Sequence, residues 1–85
     1  MKPPKIIKWT ISPHALERLE ERKVSVQELV QLVETPDIKI PQGPKWIFGK
    51  EFQHRSDNMV AAVLLERKEY GLWVVLTVMV HFEKK

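Results

Sequence analysis

SPHALERLEERKVSVQELVQLVETP, residues 12–36, is the stretch that decides how this chain folds. It reads as two short helices. Ser12 is placed to cap the first, and Pro13 fits the first helical position, where a missing N–H costs nothing. Ala15, Leu16 and Leu19 give this helix an apolar arc, and it is expected to end near Lys23. Ser25 with Glu28 three residues on forms a capping box, and Val24 with Leu29 forms a hydrophobic staple. Val26, Leu29, Val30, Leu32 and Val33 then make a wide stripe of helical period, so the second helix reads as the more buried one. Pro36 stops it.

Beyond Pro36 the period changes. Residues 37–40 alternate as a short strand, PQGP (41–44) is a turn, and residues 46–48 begin a second strand that Gly49 breaks or bulges. Residues 50–55 read as a further strand segment, and Ser56-Asp57-Asn58 as a tight turn. MVAAVLLE (59–66) and LWVVLTVMVHF (72–82) are apolar on both parities, the pattern of strands covered on two faces. The polar residues 67–71 between them are of hairpin length, so the pair is antiparallel. Upstream, Pro3 and Pro4 keep residues 1–10 extended, with Ile6, Ile7 and Trp9 suited to an arm or edge strand.

The expected architecture is α+β, a single domain over residues 1–85 with two N-terminal helices on one face of a curved antiparallel sheet of about four strands. A surplus of apolar surface follows. Trp73, Val75, Thr77, Met79 and His81 share one parity of the last strand, and Leu72, Val74, Leu76, Val78, Val80 and Phe82 share the other. Helices on one side leave one of these rows to a curved sheet interior, the N-terminal arm, or a partner, so a homodimer through the sheet is one expectation.

Eighty-five residues with 44% hydrophobic and 29% charged side chains suit a folded domain rather than a disordered one. The formal net charge is +3 and the pI about 9.3, compatible with a polyanionic partner, although Lys2, Lys5, Lys8, Lys84 and Lys85 also read as ordinary solubilising charge. No run has the length of a signal-peptide core, and residues 71–80 are too few to cross a bilayer as a helix, so a cytoplasmic protein with no membrane partner is expected. No cysteine is present, His14, His54 and His81 lack metal-ligand spacing, and no phosphate-binding glycine motif or serine elbow occurs. No metal and no cofactor is expected.

His14, Arg18 and Arg22 recur every four residues on the first helix and project near one another at about 100° per residue. Imidazole ionises near neutrality and can move a proton, while guanidinium presents a planar fork to phosphate. Together they can serve a phosphodiester, with the arginines stabilising the charge of a pentacoordinate phosphate. The plain alternative is that the arginines pair with Glu17, Glu20 and Glu21 on the same helix. Thr77, a lone hydroxyl inside LWVVLTVMV, either bonds locally or lines a pocket with the basic row. Lys50, His54, Arg55 and Tyr70 are candidates for contacts to nucleic acid, each with a plain reading as a strand end or turn residue.

ISPHALERLEERKVSVQELVQLVETP (11–36), with VVLTVMV (74–80), resembles the 4258 domain-of-unknown-function family. That family shows a histidine, an arginine four residues on, another arginine, a short second helix ending near a proline, and a valine-rich closing strand with a threonine. The resemblance spans roughly residues 11–80. It implies kinship with small RelE- and BrnT-like toxins, in which two helices pack on a curved antiparallel sheet and many of which cut RNA without metal. It places His14, Arg18 and Arg22 at the basic positions and Thr77 at the strand threonine. Lys23 stands where a glycine is common before the second helix, and Val78-Met79 replaces an aromatic ending.

Two functions are therefore expected as alternatives. One is a metal-independent endoribonuclease, with RNA as substrate, an antitoxin as partner and a 2′,3′-cyclic phosphate as product. The other is a non-catalytic domain that binds nucleic acid or a protein, including a second copy of itself.

Overall fold

The structure is a computed structural model that describes residues 6–55 and 59–82, with the backbone alone for residue 82. The prolines at 3 and 4, the lysines at 2, 5, 84 and 85, and the turn at 56–58 lie outside the described residues. The elements run β1 (Trp9–Ile11), α1 (Pro13–Glu21), α2 (Val26–Glu34), β2 (Ile38–Gln42), β3 (Lys45–Glu51), β4 (Met59–Arg67) and β5 (Leu72–Phe82). A 3-10 turn, Lys68–Tyr70, joins the last two strands.

The α1–α2 connection is built from backbone hydrogen bonds. Val24 N donates to Leu19 O at 2.9 Å and Lys23 N to Glu20 O at 3.3 Å, the double closure of a Schellman motif. Lys23 takes the left-handed conformation this requires, with φ at +55°. Glycine adopts that conformation most readily, and here Lys23 takes it. Val24 and Leu19 are both buried, supplying the apolar contact that accompanies the motif. Ser25 then caps α2, accepting from Glu28 N at 3.1 Å while Glu28 Oε1 accepts from Ser25 N at 2.8 Å. The capping box is as expected.

The sheet has five strands in the order β1-β5-β4-β3-β2, and it is mixed. This corrects the expectation of about four antiparallel strands. The difference is β1, which runs parallel to β5 with Trp9 beside Trp73 and Ile11 beside Val75. Trp73 N donates to Lys8 O and Ser12 N to Val75 O, both at 3.0 Å, fastening β1 at its two ends. Pro41 belongs to β2 rather than to the turn, and as an edge-strand residue its missing N–H leaves no ladder bond broken. The hairpin loop is only Gly43-Pro44, with Gly43 at φ +61° in the first loop position.

Gly49 neither ends nor bulges β3, which is one unbroken strand to Glu51. Its lack of a side chain serves packing. A Cβ there would lie 2.7 Å from Met59 Sδ and 2.8 Å from Ile38 Cγ1. Residues 52–55 leave the sheet, although Phe52 stays buried.

β5 carries two irregularities. Leu64 faces Val75 but Val63 faces Thr77, so Leu76 is inserted; Ala61 faces Met79 but Met59 faces Phe82, and His81 in the second irregularity has φ +56°. The insertion at Leu76 rearranges the parity rows. Trp73 and Val75 share a face with Val78 and Val80, all in the cluster of the helices, while Thr77 falls on the opposite face.

The core lies between this face and the two helices. Ala15, Leu19, Leu29, Leu32 and Val33 meet Trp46, Phe48, Val60, Ala62, Leu64, Val75 and Val78. Phe48, Leu29, Leu32 and Leu64 are wholly buried. Each such side chain stabilises the fold by about 1.5–3 kcal/mol. The arm contributes Ile6 to the same cluster.

Candidate functional site

The start of α1 is fixed to the middle of β5. Ser12 Oγ accepts from Ala15 N at 3.1 Å and donates to Leu76 O at 3.2 Å. His14 therefore sits in a first turn whose position is set by the sheet, and it is exposed. Arg18, 32% exposed at its side chain, pairs with Glu21 on the same helix. Arg22 is half-buried, and its Nε is closed off from solvent with no hydrogen-bond partner. The row drifts because a step of four residues advances about 40° around a helix. It passes from open surface at His14 towards the buried arc of Ala15 and Leu19.

Thr77 is not brought to this row. It pairs with Val63, while the neighbouring residues Ala62, Leu64 and Val78 point to the helices. Alternation along the strands puts Thr77 on the far face of the sheet. The sheet therefore separates the hydroxyl from the helix that carries His14, Arg18 and Arg22.

Three of the expected nucleic-acid contacts have partners within the fold. His54 and Arg55, expected on opposite sides of a strand, lie after β3 and converge on one carboxylate. His54 Nε2 is 2.7 Å from Glu28 Oε2, and Arg55 Nη1 is 3.0 Å from Glu28 Oε1. Arg55 also donates to Lys23 O at 2.9 Å and Arg22 O at 3.3 Å, capping the carbonyl end of α1. Lys50 Nζ donates to Thr35 O at 2.7 Å and stands 3.9 Å from Asp37 Oδ1, covering the end of α2. Tyr70 is exposed on the 3-10 turn, far along the chain from any of these.

Glu28 is the hub that sequence reasoning missed. Its capping-box spacing was visible; its two further partners come from residues more than twenty positions away. Burial raises the Glu28 pKa, but bonds from Ser25 N, His54 and Arg55 outweigh it, and the net direction is downward. Among the described residues no group of three or more His, Cys, Asp or Glu is placed to hold a metal ion.

The helices and the arm all lie on one side of the sheet, leaving the other uncovered by any described element. Register places Ile38, Ile40, Ile47, Val63, Leu65 and Met79 there, with Thr77 among them. Ile47 and Ala61, on this face, are buried without belonging to the helix-side cluster. Two surface hollows occur among the described residues, the second reaching Leu65. One, of about 310 Å³, is lined by Ile7, Lys8, Gly71 and Trp73. The other, of about 410 Å³, is bounded by Trp46, Leu65, Glu66 and Trp73 among others, and neither includes His14, Arg18, Arg22 or Thr77.

Among the described residues the geometry defines a small α+β domain with two helices on one face of a five-stranded mixed sheet. Residues 11–80 match the family described as Domain of unknown function (DUF4258), and the chain belongs to that family. Comparison with curated proteins and with solved structures found no match. No helix among the described residues is long and apolar enough to cross a membrane.

Proposed function

We propose that this domain works by associating with another protein chain through the uncovered face of its sheet. One observation carries this reading. A continuous apolar surface runs across β2, β3, β4 and β5 with nothing described above it. Contiguous apolar surface on a soluble domain marks an interaction site. Its strand centres carry no cation, so a phosphate backbone gains no charge pairing there. The test is the association state of the wild type against Val63→Glu, a substitution at a partly buried position near the centre of the face. Loss of association by a variant with an unchanged circular dichroism spectrum is expected. Association indifferent to Val63→Glu ends the reading.

Metal-independent RNA cleavage by the α1 flank is the second reading, and kinship with RelE- and BrnT-like toxins and a cytoplasmic site of action go with it. Its support is the exposed imidazole of His14 one turn from Arg18, together with the unpartnered Nε of Arg22. Without Thr77 at hand, its chemistry rests on those three side chains. Cleavage in EDTA, with 2′,3′-cyclic phosphate ends that disappear in His14→Ala, is the expected result. A folded wild type that leaves RNA intact ends it.

A further inference from the structure

We infer that the occupant of the bare sheet face is a second copy of this chain, stacked face to face with its strands antiparallel to the first. The inference rests on the reading that this face is an interface, and it adds the partner and the orientation.

The orientation comes from two charges. On β3 the residues on this face are Lys45, Ile47, Gly49 and Glu51, set by pairing with Leu65, Val63, Ala61 and Met59. Lys45 and Glu51 are exposed, and neither side chain makes an ion pair among the described residues. They stand about 20 Å apart at opposite ends of an apolar row. Two face-to-face dimers with closed two-fold symmetry are available. An axis along the strands sets Lys45 over the apolar end of a different strand and leaves both charges unanswered. An axis across the strands lays β3 over β3 in reverse. Lys45 of each copy then meets Glu51 of the other, twice per dimer, with Ile47 between the two pairs. The same operation sets Val63 near Ala61 of the second copy and Leu65 near its Met59, so the β4 contacts are apolar, and it carries Thr77 of β5 towards Met79. Of these two orientations, only the second pairs Lys45 with Glu51.

The size agrees with a reversible dimer. Four strands at ~4.8 Å spacing and seven residues at ~3.3 Å give a face of roughly 19 Å by 23 Å. Two such faces together remove roughly 900 Å² counted flat, below the range of stable interfaces and within that of weak, transient ones. A dissociation constant on the order of 1–100 μM is expected.

The test is sedimentation across that range for the wild type, Lys45→Glu, Glu51→Lys and an equimolar mixture of the two variants. The wild type is expected to dimerise, and each single variant to weaken self-association at least tenfold by placing like charges opposite each other. The mixture is expected to recover dimers, because each variant then meets the opposite sign. A wild type that stays monomeric, or single variants that dimerise as well as the wild type, overturns the inference. Sensitivity to Val63→Glu without sensitivity to charge reversal overturns this orientation while leaving the face an interface. Indifference to Val63→Glu removes the interface itself.

Discussion

Arg55 Nη1 sits 3.0 Å from Glu28 Oε1, and each of the two side chains is only 12% exposed. The residues are twenty-seven positions apart, yet this pair joins the loop after β3 to both helices at once. Glu28 caps the start of α2, and Arg55 caps the end of α1. Removing Arg55 takes the guanidinium from a shielded carboxylate and a donor from two carbonyls. Arg55→Ala is expected to cost about 2–4 kcal/mol, a large share of the ~4–13 kcal/mol that holds a domain of this length. Arg55→Lys keeps the charge but loses the fork, and is expected to fall between. Urea melts of the three proteins check the order.

Stability should depend on acid through Glu28. Its folded pKa lies below the ordinary value, so in the window between the two the unfolded chain binds more protons. Stability is therefore present above the ordinary carboxylate value and lost as pH falls through the depressed folded one. Glu28→Gln removes this contribution. Thermal melts of the wild type and Glu28→Gln are expected to differ most near neutral pH and to converge under strong acid. A gap that widens on acidification contradicts the assignment.

Lys23 is a non-glycine residue in a glycine conformation, at φ +55°. Lys23→Gly is expected to stabilise the domain by about 0.5–1 kcal/mol, since relief of the left-handed strain exceeds the added freedom of the unfolded chain. Chemical denaturation at neutral pH reads the difference. An equal or larger loss indicates that the lysine side chain makes contacts that outweigh the strain.

Gly49 has no room for a methyl group beneath Ile38 and Met59. Gly49→Ala is expected to destabilise by about 1–3 kcal/mol, the usual cost of overpacking. The double variant Gly49→Ala with Met59→Ala is expected to recover part of that loss beyond simple additivity, because the nearer obstruction is gone. Paired denaturation curves measure the coupling.

Much of the fold was readable because its signals are local. Ser12, Ser25 and Glu28 set the helix starts by spacing alone, and Pro36 set a helix stop. What escaped depends on distant partners. The place of Trp9–Ile11 beside β5 is fixed by bonds at Lys8 and Ser12 to residues more than sixty positions away. The extra residue at Leu76 shifts the alternation, so a parity count along LWVVLTVMVHF misplaces Thr77. Gly49 looks like punctuation in sequence and is a matter of crowding in space. For the candidate site, the basic row on α1 was legible as spacing. Its drift towards the core follows from helix geometry, and the commitment of His54, Arg55 and Lys50 to helix ends does not show in any local pattern.

The two irregularities of β5 carry one more consequence. β1 flanks that strand only as far as Val75, and the remaining outer margin borders an apolar sheet. A straight margin of that kind invites open-ended strand addition, the route to fibres. The kinks at Leu76 and His81 spoil the template by turning the backbone out of line. An apolar sheet face and an edge that resists strand addition can thus coexist in one small domain.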